Sequence, residues 1–333
     1  MKLSAPRIVV AALALAVVVA AAATPQLLGT RVVHALATVQ RADRGWLALA
    51  TLGFATGFVS AVCAWRAALA ASGGRISVAR GTAALGVGAL VNTFVPARLG
   101  DVVKIALFSR AIDGPDRLWT AGGVYAAVSA ARCLSIAALV AVATVTGAIP
   151  IWPVLVLCAA AAACAALALT SRRWRRYHRI AHLLEGFAAL ERSPRFAAQV
   201  LGWSFGVALT RLGAVIALAA ALGLPDPLLA ALVICPTLDL AGSVPLTPGN
   251  VGVASGAVAV ALQSRGIGVT QALGVGIAIQ ALEMLVSLAA GTAGLLSLAA
   301  PGSLAARRPL RIAVVGTAVA VAAALGAFML DAV

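Results

Sequence analysis

Apolar residues run along this chain in long blocks, interrupted at intervals by short clusters of arginine, proline and glycine. A helix needs about 20 predominantly apolar residues to cross the ~30 Å hydrocarbon core of a bilayer. On that criterion full crossings are predicted at 8–24, 47–70, 119–147, 152–170, 198–223, 268–298 and 312–330. Trp46, Trp119, Trp152 and Trp203 stand at or near the starts of four of them, where interfacial anchors belong. The pattern predicts an all-α, polytopic membrane bundle with about seven full transmembrane helices.

Two further apolar regions, 81–112 and 228–263, do not read as plain spans. Pro96 to Gly100 splits the first into halves of roughly 15 residues, each about 22 Å long as helix and too short to cross alone. The second is broken by VPLTPGNVG at 244–252, and both breaks contain P-x-x-x-G, as Pro96…Gly100 and Pro248…Gly252. A re-entrant hairpin, entering and leaving by one face, fits each region.

Charge placement supports that topology. With two hairpins, sixteen lysines and arginines fall on the cytoplasmic side with the N-terminus, and only Arg31, Arg41, Arg44 and Arg265 on the outer side. If only one region crossed fully, the loops between them would fall on the wrong side. Three crossings separate the hairpins, so they enter from opposite faces. Broken helices at corresponding places of two inverted halves point to a transporter-type site near the midplane, against the alternative of two unrelated kinked helices.

Composition narrows the class without changing the picture. The 333 residues are 62% hydrophobic and 11% charged, with a mean hydropathy of +1.05, far from a soluble domain. The net charge of +15 lies in short segments between apolar runs and forms no basic module, so nucleic acid is excluded as a partner. All five cysteines (Cys63, Cys133, Cys158, Cys164, Cys235) lie in apolar runs without C-x-x-C spacing and read as small buried hydrophobes. His178 and His182 share a helix face but have no third ligand, so neither a metal nor another cofactor is expected.

The chain reads as a single integral membrane domain over 1–333, with hairpins at 81–112 and 228–263. Lys2 and Arg7 ahead of the apolar run in 1–24 suit a first span or signal anchor, and fit a cleaved signal peptide less well given the spans that follow. In 171–197, Ile180, Leu183, Leu184, Phe187 and Leu190 line one face of an arginine-rich stretch, a cytoplasmic interfacial amphipathic helix. A lipid-sensing role and a plain connector are equally consistent with it.

Irregular backbone at membrane depth survives only where protein or water satisfies its polar groups, so Pro96–Gly100 should line a cavity. A helix starting near Leu99 would present free N–H groups there, and Arg98 and Lys104 would add full positive charge suited to a phosphate. Arg132, Arg211, Asp239 and Glu283 also lie deep in apolar segments, where each costs about 2.5–3.5 kcal/mol at a span centre on insertion scales. With Arg98, Asp101 and Lys104 they leave one positive charge over, which suits an anionic ligand. The alternative is internal: Asp101 complementing its helix N-terminus, and Arg132 or Arg211 pairing with Glu283 as glue. Triads, P-loops, H-E-x-x-H and dinucleotide fingerprints are all missing, and no polar stretch is long enough for a catalytic domain.

The segments WRAALAASGGRISVARGTAALGVGALVNTFVPARLGDVVKIALFSR (65–110) and VPLTPGNVGVASGAVAVAL (244–262) resemble the flippase-like family named after the membrane region of lysylphosphatidylglycerol synthases, over about Trp46 to Leu298. That family's N…P-x-R-x-G-E-x-x-R appears as Asn92, Pro96, Arg98, Gly100, Asp101 and Lys104, with Asp for Glu and Lys for Arg. Its P-x-S-P-G-G-x-G-x-x-E appears as Pro245, Thr247, Pro248, Gly249, Asn250 and Gly252, with Ser255 where the acid is expected. Ala131 precedes Arg132 where many members carry a Glu-Arg pair. The resemblance implies translocation of an anionic amphiphile across the cell membrane: a phospholipid, an aminoacylated phospholipid, or a polyprenyl- or glycolipid. Arg98, Lys104 and the amides after Pro96 would hold its phosphate, and Pro248, Gly249 and Gly252 would shape the opposing gate. The aminoacyl-transfer domain of some relatives does not appear, so no enzyme activity is expected. The alternative is a non-transporting accessory subunit of an envelope-lipid or glycolipid enzyme; a membrane-embedded transferase, for which no nucleophile is evident, ranks below both.

Overall fold

The computed structural model describes residues 42–94, 99–151, 154–155, 159, 186–243 and 252–299. The expected crossings at 8–24 and 312–330, nearly all of the one at 152–170, and most of the amphipathic stretch lie outside them. The described residues form helices and connecting turns, without strands. The main helices are α1 (Arg44–Ala71), α2 (Val78–Phe94), α3 (Leu99–Ser109), α4 (Arg117–Val145), α5 (Pro194–Ala221), α6 (Pro227–Ser243), α7 (Val253–Gln263) and α8 (Val269–Ala299). Four of these, α1, α4, α5 and α8, are long and apolar enough to cross a bilayer.

The lengths repeat. Helices α1 to α4 have 28, 17, 11 and 29 residues, and α5 to α8 have 28, 17, 11 and 31. The pattern of extensive helix contacts is unchanged when each member of the first set is exchanged for its counterpart in the second. Both α1 and α5 end in the same Schellman cap. Gly73, at φ 81°, lets the Gly74 N–H reach the Leu69 carbonyl at 2.9 Å, and Gly223, at φ 66°, lets Leu224 N–H reach Ala219 at 3.0 Å. The described part of the chain is thus two copies of one unit: a long helix, a pair of short helices, and a second long helix.

The copies run in opposite directions. Asp43 N–H donates to the Ala221 carbonyl at 3.2 Å, so the start of α1 meets the end of α5. A Cβ at Gly53 would lie 2.8 Å from that of Ala214, and one at Gly57 would lie 2.9 Å from Thr210 Oγ1. Gly206 faces Ser60 in the same ladder. Equivalent helices are therefore antiparallel, and the units are inverted. The α2–α8 contact, Gly86 on Gly291 and Ala83 on Gly294, is antiparallel as well. Its exchanged counterpart, α4 on α6, brings Arg132 to Asp239 and Ala143 into a cluster with Leu232. Small residues at these crossings let backbones approach closely, the usual way membrane helices gain packing without a hydrophobic driving force between them.

Two apolar clusters hold the bundle. One joins α1 and α5 to α6, α7 and α8 through residues such as Phe54, Leu218, Ile234, Leu262 and Ile279. The other joins α1 to α2, α3 and α4, where Trp65 stacks on Phe108 at 4.2 Å and lies 6.0 Å from the Tyr125 ring. Val200, near the start of α5, shares that cluster with Ala121 and Val124 near the start of α4. The cap of α1 is local: Asp43 Oδ1 accepts from Trp46 N–H at 3.0 Å. Trp46 and Trp119 lie in the first turns of α1 and α4, and Trp203 lies more than two turns inside α5. Leu190 packs on the second cluster while Phe187, three residues before it, is 43% exposed.

Candidate functional site

Polar side chains of these apolar helices gather in two places, both touching α4. The first closes the α2–α3 pair. Asn92 Nδ2 donates to Asp101 Oδ1 at 3.0 Å, Lys104 Nζ meets the same oxygen at 2.6 Å, and Tyr125 of α4 donates its hydroxyl to Asp101 Oδ2 at 3.0 Å. Asp101 lies in the first turn of α3, yet the bonds it makes here are to side chains, so it works as a clip between helices. Gly100 makes the clip sterically feasible: a Cβ there would run into the Gly88 carbonyl and the Asn92 amide. Lys104, expected to bind ligand, is committed to Asp101, and its chain lies against Gly88. Asn92 Oδ1 is buried with no hydrogen-bond partner among the described residues.

The second place is a four-membered chain of charge. Arg132 reaches Asp239 Oδ1 at 3.0 Å, Arg211 takes the same oxygen at 2.6 Å, and Arg211 reaches Glu283 Oε1 at 2.8 Å. The members come from α4, α5, α6 and α8, so the network stitches the inverted units together. Two positive and two negative charges cancel here, as Asp101 and Lys104 do in the first cluster. The surplus charge of the expected set is therefore Arg98, which lies outside the described residues with Pro96, Thr247, Pro248, Gly249 and Asn250. Gly252 is described: it precedes α7 at φ 86°, a left-handed conformation that suits glycine.

Departures from the family pattern acquire a structural sense. Counted from the start of each helix, Asp101 and Ser255 are equivalent, as are Lys104 and Val258. Ser255 is buried and turns back to the Gly252 carbonyl at 3.3 Å, so the second pair of short helices lacks the acidic clip of the first. Ala131 is equivalent in the same way to Glu283 of α8. It is buried in the apolar cluster beneath α4, and acids for the arginines come instead from α6 and α8.

Sequence reasoning did not single out Tyr125, whose signal was a phenol in mid-span that needs a partner. It also passed over Arg66, whose Nε donates to the Ile76 carbonyl at 3.1 Å and ties α1 to the start of α2. Among the described residues no group of histidine, cysteine and acidic side chains is placed to hold a metal.

No curated protein matches the chain. A family model described as the lysylphosphatidylglycerol synthase TM region matches residues 8–291, most of its length. With four helices long and apolar enough to span a bilayer, this is a multi-pass membrane protein, and it belongs to the lysylphosphatidylglycerol synthase transmembrane-region family.

Proposed function

We propose that the protein binds an anionic lipid and translocates it across the cytoplasmic membrane, with its N-terminus in the cytoplasm. The observation that carries this reading is the Arg132–Asp239–Arg211–Glu283 chain, built at membrane depth by helices of both inverted units. Charges at a span centre are costly and mark ion or substrate pathways by default. Inverted units with broken helices suit alternating access, in which one unit rocks against the other around a central site. The α2–α3 and α6–α7 pairs would be re-entrant hairpins from opposite faces. In this reading Arg98, at the tip between α2 and α3, takes the lipid phosphate, and Pro248, Gly249 and Gly252 form the opposing gate. The ligand is a phospholipid, an aminoacylated phospholipid or a polyprenyl- or glycolipid.

The test is movement of headgroup-labelled phosphatidylglycerol in proteoliposomes containing the full chain. Protein-dependent movement that falls in Arg98→Ala is the expected result, and equal rates for that variant and wild type remove Arg98 from the mechanism. A second reading rests on Ala131 and Ser255, which stand where the family pattern expects acids. A non-transporting subunit of an envelope-lipid enzyme would co-purify stably with that enzyme and move no lipid alone.

A further inference from the structure

The acid that holds Arg132 comes from the other unit. Arg132 lies in the middle of α4, in the first copy of the repeat, and Asp239 lies on α6, in the second. Their bond uses one terminal guanidinium nitrogen, at 3.0 Å. Arg211 holds the same Asp239 oxygen more closely, at 2.6 Å, and holds Glu283 besides. Asp239 therefore keeps a guanidinium partner whether or not Arg132 stays. Exposure divides the same way: the Arg132 side chain is 54% exposed, against 16% for Arg211 and 14% for Asp239. An exposed guanidinium at mid-span calls for water or an anion beside it, and its planar fork matches two phosphate oxygens at once.

We propose that Arg132 is a phosphate hook held shut by Asp239. The phosphodiester of an anionic lipid headgroup displaces the Asp239 carboxylate from Arg132 and becomes its bidentate partner, while Asp239 remains on Arg211. This rests on the reading of the protein as one that handles anionic lipid, and assigns that lipid a contact site. Because the Arg132–Asp239 bond crosses from one inverted unit to the other, the exchange trades a tie between α4 and α6 for a contact to the ligand. Occupancy and the freedom of α4 to part from α6 are then linked, each favouring the other.

A purely structural bridge and a displaceable one predict different signs. If Asp239 competes with the ligand, Asp239→Asn raises affinity and Arg132→Gln lowers it; if the bridge only braces the fold, both variants lose affinity together. The measurement is titration of the full chain, in uncharged detergent, with dihexanoylphosphatidylglycerol, with dihexanoylphosphatidylcholine and inorganic phosphate as separate arms. We expect Arg132→Gln to weaken phosphatidylglycerol binding about tenfold or more and Asp239→Asn to strengthen it by roughly threefold or more, from the worth of one charge-assisted hydrogen bond. Equal losses in both, or no change in either, overturn the hook, and inorganic phosphate binding as well as the lipid overturns its lipid assignment. Should Arg132→Gln fail to fold, Arg132→Lys keeps the charge without the fork: weaker binding supports the proposal and unchanged binding overturns it. Opposite signs in a protein that moves no lipid uphold the hook and sink the transport reading; equal losses in one that moves lipid sink the hook alone.

Discussion

The Tyr125 hydroxyl donates to Asp101 Oδ2 at 3.0 Å, while Asn92 and Lys104 share the other carboxylate oxygen. One side chain near the tip of α3 thereby fastens both short helices to each other and to a spanning helix. In an apolar setting such a carboxylate is held in place by its donors, and each donor removed leaves an acceptor without a partner.

Tyr125→Phe removes one donor and leaves the ring, with its contact to Trp65, in place. A hydrogen bond to a charged group is worth about 1.5–3 kcal/mol, so the variant should unfold at a distinctly lower temperature in detergent. An unchanged midpoint would show that Asp101 does not need the phenol.

The inverted packing of α1 on α5 predicts a specific cross-link. A Cβ on Gly206 would sit 3.8 Å from that of Ser60, which is about the mean separation in disulfides. With the five native cysteines replaced, Ser60→Cys combined with Gly206→Cys should therefore oxidise readily to an intramolecular disulfide, seen as a shift on a non-reducing gel. Efficient cross-linking of Ser60→Cys to a cysteine at Val200 instead would contradict the antiparallel register.

Arg211 is the hub of the charge chain, and Arg211→Gln leaves Glu283 without its arginine and Asp239 with Arg132 alone. Breaking a buried ion pair by removing one partner typically costs about 3–5 kcal/mol, so the single variant should express poorly and melt early. Adding Glu283→Gln should restore part of the loss, because the acid left without an arginine is then neutral. Strict additivity of the two substitutions in thermal unfolding would rule out their coupling.

Close approach of α2 and α8 depends on glycine. A Cβ on Gly86 would meet Gly291 N at 2.6 Å, against backbone that cannot turn aside. Gly86→Leu should push the helices apart and cost about 1–3 kcal/mol or more in thermal unfolding, as overpacking does. A neutral effect would mean that the α2–α8 contact opens freely.

The spanning helices were legible because length and polarity suffice to define a bilayer crossing: 47–70, 119–147, 198–223 and 268–298 differ from α1, α4, α5 and α8 by a few residues at each end. The short helices carry no such signature, and only Pro96 and the prolines of 244–252 marked where apolar sequence stops being one rod. Ionisable residues in apolar runs announced that partners must exist, but not which. Arg132 meets an acid 107 positions away because two inverted copies cross there, and no spacing rule along the chain encodes that meeting. Ala131 looked like a lost acid when read alone; beside Glu283, its equivalent in the second unit, it reads as a carboxylate carried by the opposite copy.

This chain carries one helical scaffold twice, but the two copies are not fastened alike. Among the described residues the first pair of short helices is riveted by Asp101, whereas in the second Ser255 and Val258 take the places of Asp101 and Lys104, and the acid of α6, Asp239, bonds Arg132 and Arg211 instead. The α2–α3 pair is thus fastened within itself while α6 is fastened to helices outside its pair, so the two inverted units should resist separation differently.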